Sequence, residues 1–379
     1  MSTDDRPKTS TRDHVVVREQ LTKWLGGRLD GAVITDFTVP STNGMSSETI
    51  LFDAEWDSDD GGRVSDRFVL RLPPDPASEP VFPIYDMPRQ FRAMRLVADR
   101  TAIAVPPTVW LEEDPAALGA PFFVMGRIDG SVPPDVMPYT FGGNWFFESS
   151  PTDQLALQRS SVAVLAAIHT IPASDPDAAF LVIDAPGDTA LQRHVNDQRA
   201  FYEWVAADGV RSPLIESAFS WLDEHWPHDE GETVVSWGDA RIGNMMYRDY
   251  EPVAVLDWEM AGHGPREIDL AWMIFIHRFF QDLTEMLEMP GLPDFMRTAD
   301  VCEQYEQLTG VTPKNIRWYL LYAALRHAIV MFRITRRQIL FGEKEMPDNP
   351  DHAFLHHATV AAMIDGSYWS KLEPNSPAG

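Results

Sequence analysis

The sequence predicts an α+β protein of two lobes, a small antiparallel-sheet N-lobe and a larger, mainly helical C-lobe. Three observations carry this. Apolar residues between Val33 and Leu72 alternate and are interrupted by polar turns. Beyond Gly130 they recur at helical spacing instead. No internal repeat or low-complexity tract intervenes, so one strand-rich texture is followed by one helical texture.

Residues 1–13 are polar, mixed in charge, and read as a disordered tail. Residues 15–29 read as a short amphipathic helix. Residues 33–39 alternate as a strand, 41–47 are a turn of small polar residues, and 49–56 are the return strand. A tight turn at 57–62 leads to a third strand at 67–72. A loop at 73–83 precedes a helix at 86–99, where Met87, Phe91, Met94 and Val97 share a face. Strands at 109–112 and 121–128 complete a five-stranded sheet with one inserted helix. The N-lobe thus spans 14–128 and the C-lobe 129–379. In the C-lobe, 155–168, 191–207, 213–226, 316–340 and 352–372 have helical spacing. So does the acidic stretch 283–308, interrupted by Pro290 and Pro293. The aromatic segment 139–147 reads as packing onto the helices, with the lining of a substrate site as the alternative.

Composition narrows the function. A chain of 379 residues, 44% of them hydrophobic, has room for about two domains and a sizeable core. Lys and Arg number 31 against 57 Asp and Glu, a net charge of −26, which argues against nucleic acid and against docking on anionic lipid. No apolar run approaches the roughly 20 residues of a membrane span, and residues 1–13 lack the apolar stretch of a signal peptide. The single Cys302 excludes an intrachain disulfide and a thiolate metal cluster, and fits a reducing cytoplasm. A cytoplasmic protein is expected, monomeric or homodimeric.

One C-lobe segment breaks the helical pattern. Residues 245–247 and 253–256 read as two short strands around a turn at 249–252. A hairpin centred there places Asn244 opposite Asp257 at its open end, and Asp239 enters the same end five residues before Asn244. Taken singly these are ordinary turn residues. Taken together, two carboxylates and an amide oxygen are what Mg²⁺ takes beside substrate phosphates, and one further carboxylate can orient a hydroxyl and accept its proton. Walker-type, nucleophile-elbow and dinucleotide glycine motifs are absent from the sequence.

The runs Gly238-Asp239-x-x-x-x-Asn244, Val255-Leu256-Asp257-Trp258-Glu259 and Gly264-x-x-x-x-Asp269-Leu270-Ala271 resemble the aminoglycoside phosphotransferase and choline kinase group. Within it, the chain is most similar to the branch related to the kinase-like domain of certain acyl-CoA dehydrogenases. The resemblance covers about residues 36–322 and implies a protein-kinase-like two-lobe fold. By position it makes Asp239 the catalytic base, Asn244 and Asp257 the Mg²⁺ ligands, and Asp269 the acid that braces the catalytic loop from a helix start. It places ATP under the loop carrying Ser41, Asn43, Gly44 and Ser46, whose backbone N–H groups would cradle phosphate. Arg71 takes the third-strand position usually held by Lys, and Met125, Arg127 and Ile128 lie in the segment that would meet adenine. The 41–47 loop departs from the family pattern in carrying a single glycine, and two further positions depart from it. Trp237 stands where His is usual and would brace the loop by packing. Gln90 stands where the helix usually supplies Glu, so a Gln–Arg hydrogen bond to Arg71 would replace an ion pair, with Asp86 as the alternative partner. The implied activity is ATP- and Mg²⁺-dependent phosphoryl transfer to a hydroxyl of a small molecule, whether aminoglycoside-like, choline-like or hydroxyacyl-type. A non-catalytic nucleotide- or ligand-binding protein of this fold and a metal-dependent phosphoester hydrolase are the alternatives.

Overall fold

A computed structural model describes residues 12–40 and 47–372. The N-lobe begins with helix α1 (His14–Gly26). Arg12 and Asp13, expected in a disordered tail, are instead held. Arg12 donates to Glu48 and to the Pro73 carbonyl, and the Asp13 carboxylate caps α1. Strands β1 (Val33–Thr38), β2 (Glu48–Asp57), β3 (Arg63–Leu72), β4 (Thr108–Glu112) and β5 (Phe122–Gly126) form one antiparallel sheet in the order β1-β2-β3-β5-β4. This is the expected five-stranded sheet, and helix α2 (Met87–Arg100) is inserted between β3 and β4. Asp86 is the N-cap of α2.

Strand alternation sorts the two faces of the sheet. Phe68, Leu70, Leu72, Phe122 and Val124 join Leu21, Trp24 and Leu25 of α1 in one core. Val69, Phe123 and Met125 face the other way and merge with α2 and the C-lobe in the main core. Arg71 alternates with Leu70 and Leu72 and therefore lies on the C-lobe side, paired across the ladder with Thr49.

The C-lobe contains α3 (Pro151–Ile168), α4 (Ala190–Val205), α5 (Pro213–Glu224), the short strands β6 (Thr233–Ser236), β7 (Met245–Arg248), β8 (Glu251–Val255) and β9 (Gly262–Pro265), then α6 (Glu267–Met286), α7 (Thr298–Thr309), α8 (Ile316–Leu340), α9 (His357–Asp365) and α10 (Ser367–Leu372). Ser150, Thr189 and Ser212 cap α3, α4 and α5 through their hydroxyls, and Pro151 and Pro213 open two of these helices where the missing N–H is not needed. Helix α6 is not anticipated by periodicity, because it is apolar nearly all round and buried on every side. The stretch expected as one interrupted helix at 283–308 is the end of α6, a turn through Glu288, Gly291 and Met296, and α7. The helix expected at 352–372 is divided at Gly366, with φ of 86°. Tyr139 and Phe146 are buried against Phe280 and Phe295, so the aromatic segment is mainly packing. Among the described residues no helix is long and apolar enough to cross a membrane.

Backbone carbonyls of one lobe and arginines of the other tie the lobes together. Arg89 of α2 donates to the carbonyls of Phe180, Leu181 and Ala261 at 2.8–3.3 Å. Arg333 and Arg337 of α8 reach the carbonyls of Pro80 and Ser78 in the β3–α2 loop at 2.7–3.0 Å. Removing Arg89 leaves carbonyls at the interface without donors. Arg89→Ala is expected to cost about 2 kcal/mol or more, because bonds from a charged donor exceed neutral ones. Urea unfolding followed by tryptophan fluorescence measures it.

Candidate active site

The site is built on two turns that meet between the lobes. The first leaves β6 through Trp237, Gly238, Asp239 and Arg241 and enters β7 after a single tight turn at Ile242–Asn244. Gly238 has φ of 90°, and a Cβ there would collide with the Met260 carbonyl, so this position admits only glycine. The second turn follows β8. Asp249 and Tyr250, both at positive φ, make the tight loop joining β7 to β8. Met245 pairs with Val255, and Leu256 donates its N–H to the Asn244 carbonyl at 2.8 Å. Asn244 therefore faces Leu256, one residue short of Asp257. Asp257 then turns into the cleft with φ of 57°.

Asp239 is held on both oxygens. The Trp272 indole N–H donates to Oδ1 at 2.6 Å. Asn244 Nδ2 donates to Oδ2 at 2.7 Å, and Arg241 Nε is shared by the two oxygens at 3.0 and 3.1 Å. Asn244 thus spends its amide nitrogen on Asp239, which leaves its amide oxygen as an acceptor. Asp257 Oδ1 is buried with no hydrogen-bond partner among the described residues, and Arg71 Nη2 stands 3.8 Å away. Burial pushes the Asp257 carboxyl above its ordinary range; Arg71 opposes this and the Asp239 charge adds to it. An orphaned carboxylate oxygen beside a free amide oxygen fits a hard divalent cation such as Mg²⁺. No three His, Cys, Asp or Glu side chains converge as a ligand cluster among the described residues. Mg²⁺ needs no such cluster, since one or two carboxylates plus substrate oxygens suffice.

Behind these residues lies Asp269, in the first turn of α6 and fully buried. It accepts from Ser236 Oγ at 2.7 Å, Trp237 N at 2.8 Å, Gly238 N at 2.9 Å and His169 Nε2 at 3.0 Å. Burial alone would raise this carboxyl, but the bonds from His169, Ser236 and Gly238 outweigh it and hold Asp269 below its ordinary range. Trp237 is itself buried, and its indole N–H reaches the carbonyls of Leu256 and Asp257 at 3.0 and 3.1 Å. It therefore braces the loop by hydrogen bonds as well as by packing, and links the two turns directly.

The structure brings Asp239, Asn244, Asp257 and Arg71 together, with Trp237 and Asp269 in support. Arg71 donates to Thr49 Oγ1 at 2.6 Å and to Ser47 Oγ at 2.9 Å. Gln90 does not pair with it. Gln90 is buried on α2 and its Nε2 has no partner among the described residues, and Asp86 is occupied in capping α2. Ser41, Asn43, Gly44 and Ser46 lie outside the described residues. Met125 is buried in β5 between Val69 and Thr108. Arg127 donates its backbone N–H to the Arg67 carbonyl at 2.9 Å, and Ile128 follows half-buried.

Arg241, Trp272 and His169 were not foreseen. Trp272 follows Asp269 by three positions on one helix, a spacing that puts both on one face and was available as a signal. Arg241 sits two residues past Asp239 and was equally visible. His169 meets Asp269 across 100 positions, with no local signal.

Comparison with known proteins identifies the family. Residues 49–291 match the phosphotransferase enzyme family, APH. The chain belongs to that family. It is a phosphotransferase of protein-kinase-like fold. Acyl-CoA dehydrogenase family member 10 of Mus musculus is 27% identical over 292 residues, 73% of this chain and 25% of that protein. The chain spans between a fifth and somewhat over a third of the length of the curated relatives it matches. Among solved structures, a candidate aminoglycoside phosphotransferase of Ralstonia eutropha superposes with a TM-score of 0.62 at 22% identity, covering 93% of this chain and 98% of that one. A thermostable variant of the aminoglycoside phosphotransferase APH(4)-Ia, in a ternary complex with AMP-PNP and hygromycin B, superposes at 0.54 with 15% identity, covering 91% and 98%. These likenesses concern the fold.

Asp269→Asn puts an NH₂ group against N–H donors in a sealed position. Breaking such a buried ionic cluster is expected to cost about 3–5 kcal/mol. The carboxyl of the folded protein is depressed, so its contribution is complete above the ordinary carboxylate range and is lost as pH falls through the folded value. Urea melts between about pH 7 and 3 are therefore expected to show a flatter acid limb for the variant than for the wild type.

Proposed function

We propose that this phosphotransferase moves the γ-phosphate of ATP, with Mg²⁺, to a hydroxyl of a small molecule. The observation that carries the reading is the pairing of a firmly held Asp239 with the orphaned Asp257 Oδ1 at one end of a hairpin. The N-lobe, 14–128, covers the nucleotide, with Met125, Arg127 and Ile128 at the adenine and Ser41, Asn43, Gly44 and Ser46 over the phosphates. The C-lobe, 129–379, carries the acceptor. Asn244 and Asp257 would hold Mg²⁺, which offsets charge on phosphate oxygens when bound. Arg71, fixed by Ser47 and Thr49, aims its guanidinium at the same end of the cleft, where a planar fork suits phosphate oxygens. Asp239 takes a hydrogen bond from the acceptor hydroxyl, sets its oxygen in line and accepts its proton. Trp237 and Asp269 hold the loop.

Two features of known proteins support this. A related fold holds AMP-PNP with hygromycin B, a hydroxyl-bearing aminoglycoside. The curated relatives are acyl-CoA dehydrogenase family members, which keeps a hydroxyacyl-type acceptor beside aminoglycoside-like and choline-like ones. A cytoplasmic place fits the single cysteine, whose thiol burial pushes up to about 12.

Calorimetric titration with AMP-PNP, with and without Mg²⁺, tests the site. Wild type is expected to bind in a Mg²⁺-dependent way, and Asp257→Ala to lose that dependence. Asp239→Ala is expected to keep Mg²⁺–nucleotide affinity while ATP turnover with an acceptor falls at least about a hundredfold. Turnover retained in Asp239→Ala removes the assigned base. Phosphate release from a phosphoester without ATP replaces the reading with a hydrolase.

A further inference from the structure

A cation that the proposed chemistry does not use is sealed against the loop of Asp239. Arg326, on α8, is 1% exposed. Its Nη2 donates to the Gly238 carbonyl at 3.1 Å. Its Nε and Nη1 have no hydrogen-bond partner among the described residues. A buried guanidinium with donors left over is costly, and an apolar side chain of similar length would avoid that cost. The charge is met instead by an aromatic face. The guanidinium carbon stands 4.5 Å from the centre of the Trp272 ring, against 5.9 Å from that of Tyr322. Burial pulls the guanidinium below its ordinary value, with Asp269 and Asp239 among the groups that oppose it.

Trp272 connects this charge to Asp239. The same indole donates its N–H to Asp239 Oδ1 at 2.6 Å, short for a bond from nitrogen. A cation on the face of an indole draws electron density from the ring, so the N–H at its edge becomes a stronger donor. The acceptor here is a carboxylate, which gains most from a stronger donor. The bond to the Gly238 carbonyl anchors the guanidinium over the ring, and Gly238 is itself held through its N–H by Asp269. Arg241, the other guanidinium at Asp239, is divided between Asp239 and Asp135. Arg326 makes no ion pair among the described residues, so its charge bears on the ring.

We propose that Arg326 is a positioning residue that acts through Trp272: the guanidinium stacks on the indole, strengthens its N–H and thereby fixes the Asp239 carboxylate. Its effect on turnover rests on the reading of Asp239 as the group that receives the acceptor hydroxyl. The state of the indole stands apart from that reading.

Two readouts test it. In a heteronuclear N–H correlation spectrum of the full chain, the Trp272 indole proton is assigned by its loss in Trp272→Phe. Arg326→Met keeps the length and removes the charge, and is expected to shift that proton upfield. Arg326→Lys is expected to restore part of the shift. Arg326→Gln, uncharged but still able to donate to Gly238, is expected to behave as Arg326→Met and serves where that variant does not fold. An indole proton that stays in place in the uncharged variants overturns the proposal. With Mg²⁺–ATP and water as acceptor, the uncharged variants are expected to lower kcat about tenfold while the KM for ATP holds, and Arg326→Lys to recover part of the loss. Trp272→Phe keeps a ring and deletes the N–H. It is expected to lower kcat at least as far, and Arg326→Met to add nothing in that background. Losses that multiply, or a kcat that holds while the indole proton shifts, overturn the proposal. A wild type that binds no Mg²⁺–AMP-PNP and turns over no ATP removes the phosphotransfer reading, while the indole proton still decides the link from Arg326 to Trp272.

Discussion

The buried carboxylate of Asp269 is the constraint on which the site depends. It receives donors from the end of β6, from the two residues before Asp239 and from the C-terminus of α3. His169 is held in turn by the Tyr305 hydroxyl of α7 at 2.8 Å, and Tyr305 by Arg266 at 3.1 Å. One charge therefore fixes three helices and the loop that carries Asp239. A carboxylate this deep is tolerable only when its lone pairs are filled, and here they are. Its place in the first turn of α6 adds the favourable end of the helix dipole. The loop is consequently set by groups that never meet a ligand, so its geometry exists before any ligand arrives.

Charge balance at the cleft follows from that placement. Asp239, Asp257 and Asp135 bring three carboxylates close together against two cations, Arg71 and Arg241. Arg241 is committed to Asp135 and Asp239. Asp257 has Arg71 only at 3.8 Å, and Arg71 spends its bonds on neutral hydroxyls. The surplus negative charge thus collects at Asp257. That is where an additional cation relieves burial, and it is why the Asp257 carboxyl rises while Asp269, more deeply buried but fully bonded, falls.

Much of this was legible in the sequence, for local reasons. The five strands show as alternation and the helices as 3.6-residue spacing. Asp239, Asn244 and Asp257 emerge because a hairpin converts short sequence distances into spatial ones. What escaped has a physical cause in each case. Helix α6 is buried all round and so has no amphipathic stripe to detect. Its N-terminal partner strands, β6 and β9, are four residues each and pair across an intervening hairpin. Asp135 and His169 reach the site across 106 and 100 positions, where no periodicity carries information. Trp237 packs as expected, but its indole N–H also reaches two carbonyls 19 and 20 positions away, a contact no local spacing encodes.

Gln90 shows how a family position can change without dismantling the site. The family pattern would have α2 supply a carboxylate that fixes the third-strand cation. Here Arg71 is fixed by Ser47, just before β2, and by Thr49 at its start. The same strand start is pinned from the opposite face by Glu48, which accepts from Arg12 at 2.8 Å and pairs with His14 at 2.7 Å. Helix α2 is held independently, by Arg89 on three C-lobe carbonyls. Two tasks that a single ion pair would couple are therefore separated. The cation is placed by strand alternation and the helix by the opposite lobe. A neutral side chain at position 90 then costs Arg71 nothing in placement. The bonds from Arg89 run to backbone oxygens, so they persist whatever the side chains on the C-lobe side become. That separation leaves Arg71 free to direct its charge at Asp257.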